Sequence, residues 1–323
     1  MMTRPCRLFG AVFVLLAALL WCGGGEPRAA CADPAPQEID ALLEWQDHLV
    51  LSTYQQQFSQ DKRYNAVLGR IGSRLNPHLG EVYANPQFKI YYYVFFSRMG
   101  FNAQTWTHVI IFDSLLVDAL RHLADGVAVY GNTNNDYVHA LAERVARASM
   151  ADEAGVYEPD LQRPDNPFLL PVVSGMTVEQ QQHAEALFES MLAGWMAHEG
   201  SHAFLQHNRE RVQAEQLRQL YRQGYVAPAE VRARINQALS YSNGKARERE
   251  ADERGTRLIV RAGYGADGLI YSLEFAQLIE ELCGTNNMYF RTHPTPRERI
   301  ATVRAVEAAE RKAAPAGSGQ APH

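Results

Sequence analysis

Cysteine is scarce in this chain of 323 residues: there are four, and Cys6, Cys22 and Cys31 all fall near the start, leaving Cys283 alone in the remainder. A disulfide framework is thereby excluded for everything after residue 32, so an ordinary hydrophobic core must hold the fold. Excess positive charge is also missing. With 31 basic against 36 acidic residues the formal net charge is −5, which argues against nucleic acid as a partner. No long apolar run follows residue 22, so no membrane-spanning helix is expected beyond it. Internal repeats are absent too, and with them the helical-repeat scaffolds.

What is present begins with a leader. Arg4 and Arg7 precede an apolar run, Leu8 to Cys22, and Ala30-Cys31-Ala32 offers a small-x-small cleavage site before Asp33. These are the three parts of a secretory signal peptide, assigned to 1–32. Soluble export is therefore expected. The alternative is a lipid-anchored envelope protein attached through Cys22, in which Cys31 would survive and membrane contact would follow. Trp21 before that cysteine is bulky for a lipid-attachment site.

The densest chemistry lies in AEALFESMLAGWMAHEGSHAFLQHN at 184–208. Thr177 and Gln180 give a capping-box start, and Leu187, Phe188, Met191, Leu192 and Trp195 recur as an apolar stripe that leads into His198. His198 and His202, four apart on a helix, share a face and can offer two imidazole nitrogens to one ion. Glu199 sits about 100° round the helix, where it can act as a base without ligating. Two histidine ligands and an adjacent base are what zinc-assisted peptide hydrolysis requires. Histidines continuing a buried stripe would be costly if nothing satisfied them, and a metal does so. His207, five residues past His202, is turned away from the ligand face and reads as a surface histidine.

Elsewhere, 37–58 reads as a helix or helix pair, and Val67, Leu68, Ile71 and Leu75 mark a helix stopped by Asn76-Pro77. Phe88 to Ser97 and Trp106 to Phe112 read as two strands forming a hairpin, followed by a helix from Ser114 to Leu123. Residues 124–176, with Pro159, Pro164, Pro167 and Pro171, read as an insertion able to act as a lid. One metallopeptidase domain is expected over 33–309, with 310–323 as a disordered tail.

A zinc site needs a third protein ligand. Glu248 and Asp252 lie four apart on a predicted helix from about Ser242 to Ala262, while Glu250 points elsewhere. One of the paired carboxylates can bind the ion and the other orient a histidine. His293, in THPTPRERI before a C-terminal helix, is a further candidate as ligand, substrate donor or cap.

Together HEGSH, EREAD, AGY at 262–264 and THPTPRERI resemble the gluzincins of peptidase family M forty-eight, which include the CAAX prenyl protease, HtpX-type and Oma-type enzymes. The resemblance is close over 184–305 and loose over 62–112, and it suggests a soluble exported branch, with the bacterial periplasm as the expected location. It implies an α+β, mostly helical zincin-type domain with a small β-sheet beside the HExxH helix. It also implies one zinc ion per chain on His198, His202 and Glu248, with Glu199 as catalytic base. Asp252 becomes the outer partner of a ligand, and His293 a second catalytic residue that contacts substrate or oxyanion. Phe101-Asn102-Ala103 resembles the family's Asn-Ala before the substrate-binding edge, but Gln104-Thr105-Trp106-Thr107-His108 replaces the Pro-Gly-Gly turn. The implied function is a metalloendopeptidase acting on misfolded or misassembled envelope polypeptides in protein quality control. The rival is a periplasmic chaperone or assembly factor that uses the same fold for binding.

Overall fold

The structure, a computed structural model, describes residues 36–84, 89–96, 100–153, 170–209, 214–215, 241–283 and 294–313. Residues 1–35, 154–169, 210–213, 216–240 and 284–293, the last including His293, lie outside these. The fold is mostly helical with one small sheet: α1 (Pro36–Gln57), α2 (Asn65–Leu75), α3 (Leu79–Val82), β1 (Tyr91–Phe95), β2 (Ala103–Thr105), β3 (Val109–Asp113), α4 (Ser114–Tyr130), α5 (Asp136–Glu153), α6 (Val178–Phe204), α7 (Tyr241–Arg261), α8 (Asp267–Cys283) and α9 (Pro296–Ala313). Among the described residues no helix is long and apolar enough to cross a membrane.

The sheet runs β1-β3-β2, with β1 parallel and β2 antiparallel to the central β3. The two expected strands therefore do not form a hairpin with each other: β1 and β3 pair in parallel, the hairpin partner of β3 is the unexpected β2, and the stretch read as one strand from Trp106 starts later, at Val109. Trp106 to His108 instead form the turn, held from afar: the Asp47 carboxylate on α1 accepts from the Thr107 and His108 backbone N–H groups at 3.0 and 2.9 Å. Alternation along the strands divides two cores. Val94, Ala103, Ile110 and Phe112 join the main core under the helices, whereas Phe95, Val109 and Ile111 meet Val50 of α1 on the opposite face. Because β3 is covered on both sides, all five of its residues are buried.

The helix expected to end at Leu123 runs on to Tyr130, where Gly131 (φ 81°) turns the chain in the left-handed region. Much of the stretch read as an insertion is core. Val138, Leu141, Ala142 and Val145 of α5 are fully buried, and α5 packs on α8 and α4. At the other end, α9 runs into the expected tail, and Glu310 pairs with Arg261 of α7 at 2.9 Å.

Candidate metal centre

α6 is the spine of the site. Its capping box is present as the sequence implied, with Gln180 N–H donating to Thr177 Oγ1 and Thr177 N–H to Gln180 Oε1. The apolar stripe is buried and carries the helix inward, so that His198 and Glu199 end up 1 % and 6 % exposed. The two residues between the paired histidines are fixed by packing. A Cβ on Gly200 would sit 3.2 Å from the Tyr92 hydroxyl, and Ser201 Oγ bonds Ala197 O and the Tyr83 hydroxyl at 2.7 and 2.6 Å.

α7 crosses α6 at Gly255, where a Cβ would stand 3.0 Å from the Ala197 carbonyl carbon and the His198 nitrogen. That near-contact of backbones is what lets Glu248 reach the histidines. Gly255→Ala is expected to force the helices apart, lowering stability by about 1–3 kcal/mol and weakening metal binding, as thermal melts and a zinc titration would show.

The resulting cluster is compact. His198 Nε2 and His202 Nε2 are 3.3 Å apart, and the two Glu248 oxygens lie 3.4 Å from one and the other nitrogen. Tetrahedral zinc with bonds of about 2.0–2.1 Å needs ligand atoms about 3.3–3.4 Å apart. The two nitrogens have that spacing, one ligand atom from each of the three residues lies within 4.8 Å of the others, and among the described residues this is the group that could hold an ion.

His198 is braced on its far side. Its Nδ1 lies 2.9 Å from Asp252 Oδ1, and Asp252 in turn receives Arg299 of α9 at 2.8–3.2 Å. Arg299 Nη2 is also 3.1 Å from His198 Nδ1. A guanidinium cannot accept, so the imidazole hydrogen is assigned to Asp252. Arg299 is set by its own helix start, where Thr295 and Glu298 form a reciprocal capping box.

Burial and Arg299 push the His198 pKa down, but Asp252 and Glu248 outweigh them and raise it from 6.5 to about 9. Asp252, despite burial, is held down at about 2, chiefly by Arg299 and His198. His198 of the metal-free chain is then protonated at neutral pH, and an ion can bind only its neutral form. Zinc loading at pH 7 is expected to release about one proton, and affinity to rise about tenfold per pH unit toward pH 9. Calorimetry in buffers of different ionisation enthalpy measures the proton directly.

Glu199 points to the sheet. Its carboxylate accepts the Thr105 hydroxyl of β2, which also lies 3.2 Å from the Glu199 carbonyl. Thr105 was not singled out in the sequence, although it falls in the segment that departs from the family's turn. Arg299 was also missed as a site residue; the arginines of the RERI stretch were its only signal.

His207 corrects an expectation. Leu205 ends α6, Gln206 takes φ 57° in the left-handed region, and the chain folds back. His207 is consequently 7 % exposed, with Nδ1 2.9 Å from His202 Nδ1 and Nε2 3.5 Å from Glu250. Helical spacing misled here because the helix had already ended. Burial, His202 and Arg247 hold its pKa down at about 3, so it is neutral. His293 cannot be placed, since it is outside the described residues.

Comparison with known proteins agrees with this arrangement. The family model described as peptidase family M48 matches residues 132–307, a span holding both histidines, Glu199, Glu248, Asp252 and Arg299. No curated protein and no solved structure matches the chain. With over half its length matched and a three-donor cluster at the family's motif positions, the chain belongs to peptidase family M48, the metallopeptidases.

Proposed function

We propose that the chain is an exported, zinc-dependent endopeptidase that hydrolyses peptide bonds in misfolded or misassembled envelope proteins. The observation that carries the peptidase chemistry is the Glu199 carboxylate, adjacent in sequence to the cluster's His198 and bonded by Thr105 of β2, an edge strand among the described residues. A protein that only held chains would need no base there. His198, His202 and Glu248 would hold the ion, which when bound supplies Lewis acidity, polarising a carbonyl and lowering the pKa of water toward ~7.

The chain's own residues do the rest. Glu199 takes a proton from the attacking water and returns it to the leaving amine. Thr105 fixes which way that carboxylate faces. In β2 the pairing parity turns the backbone groups of Ala103 and Thr105 away from β3, with the Ala103 N–H already taken by Asn102 Oδ1 at 2.8 Å. An extended polypeptide can add as a further strand on this edge, beside Glu199. That geometry supports the reading of unfolded substrates, because a folded protein rarely offers a free extended segment. Export rests on the composition of residues 1–32.

The test is incubation of zinc-loaded protein with unfolded casein, with products mapped by mass spectrometry. Internal cuts are expected, and none with Glu199→Gln. Stable binding of casein without cuts would move the chain to the chaperone reading. The mass of the protein recovered from cells decides export: a start near Asp33 is expected, and diacylglycerol on Cys22 would instead show a lipid anchor.

A further inference from the structure

We propose that His207 is a positioning residue of the metal centre, which fixes the imidazole of His202 as Asp252 fixes that of His198. The inference rests on the zinc reading of the site. His202 faces the cluster with Nε2, 3.3–3.4 Å from its two co-ligands, and turns Nδ1 outward to His207 Nδ1 at 2.9 Å. Two nitrogens at that distance share one hydrogen. An ion on His202 Nε2 leaves the hydrogen on Nδ1, so His207 must accept there. Its own hydrogen then sits on Nε2, the atom 3.5 Å from the Glu250 carboxylate.

The result is a run of contacts, Glu250 to His207 to His202, whose far end, His202 Nε2, would hold the ion. α7 thereby serves both histidines: it supplies the ligand Glu248, the brace Asp252 for one, and Glu250 behind the brace of the other. The left-handed Gln206 is what makes this possible, since a continued helix would carry His207 away from His202. An imidazole free to rotate about its last bond is a weaker ligand than one held in register, and outer partners of ligating histidines are worth roughly 10–100-fold in metal affinity.

The experiment is zinc competition against a chromophoric chelator on the full folded chain, with cobalt spectra alongside. His207→Phe keeps a ring and removes both nitrogens, His207→Asn keeps an acceptor at the Nδ1 position, and His207→Gln keeps one only near Nε2. Expected are a loss of about 10–100-fold for Phe and for Gln, and Asn within about threefold of the parent. The cobalt bands of the Phe variant should shift while its melting midpoint in chelator stays at the parent value. Should the Phe variant not fold, His207→Leu takes its place with the same two outcomes. Phe or Leu binding zinc within about twofold of the parent, or Gln binding as tightly as Asn, overturns the role of His207 alone. A parent that takes up no zinc fails the metal reading itself.

Discussion

Glu248→Ala is expected to strip most of the zinc from the chain, and Glu250→Ala to leave the ion bound. The two carboxylates are near neighbours on α7 and equal in chemistry, so only direction separates them. Glu248 lies 3.4 Å from both ligand nitrogens, whereas Glu250 is half-exposed and reaches His207. A protein zinc site worth about 10–16 kcal/mol, shared among its ligands, loses about 3 kcal/mol or more with one of them, on the order of a hundredfold in affinity at least. His198→Ala and His202→Ala belong to the same class. Asp252→Ala removes a brace, not a ligand, and roughly 10–100-fold is expected. Metal analysis after dialysis against a weak chelator ranks the five variants. If Glu250→Ala loses the metal and Glu248→Ala keeps it, the third ligand has been misassigned.

Glu199→Gln is expected to do the opposite: full zinc content and turnover reduced by about 10²–10⁴-fold, the usual worth of a general base. The amide is the same size, and its oxygen can still accept from Thr105, so the fold and the metal should be indifferent to the change. What it cannot do is take a proton. Equal zinc content with lost cleavage of unfolded casein checks this in one preparation. Retained cleavage would mean that another group is the base.

The site was legible because its signals are local. Thr177 with Gln180, the stripe ending at Trp195, and the two histidines four apart all report on one helix, α6, and need nothing from elsewhere. Glu248 and Asp252 were readable as a face of α7 for the same reason, though choosing between them took the family resemblance. What escaped was set at a distance. Thr105 to Thr107 has the composition of a strand, yet the strand is broken at Trp106 because Asp47, far back on α1, captures the next two N–H groups. The helix expected to end at Leu123 continues to Tyr130 because its next turn packs on α5: a Cβ at Gly126 would lie 2.5 Å from the Tyr137 ring. Gln206 gave no warning of its left-handed turn, since neither glycine nor asparagine stands there, and His207 was lost with it.

On the proposed reading, one ion held by His198, His202 and Glu248 makes the chain a peptidase. Stripped protein titrated with zinc while casein cleavage is followed tests it most directly. Activity should rise in proportion to added metal and level off at one zinc per chain, with no rise in Glu248→Ala. Cleavage by the metal-free parent, or a rise that continues to two equivalents, would contradict it.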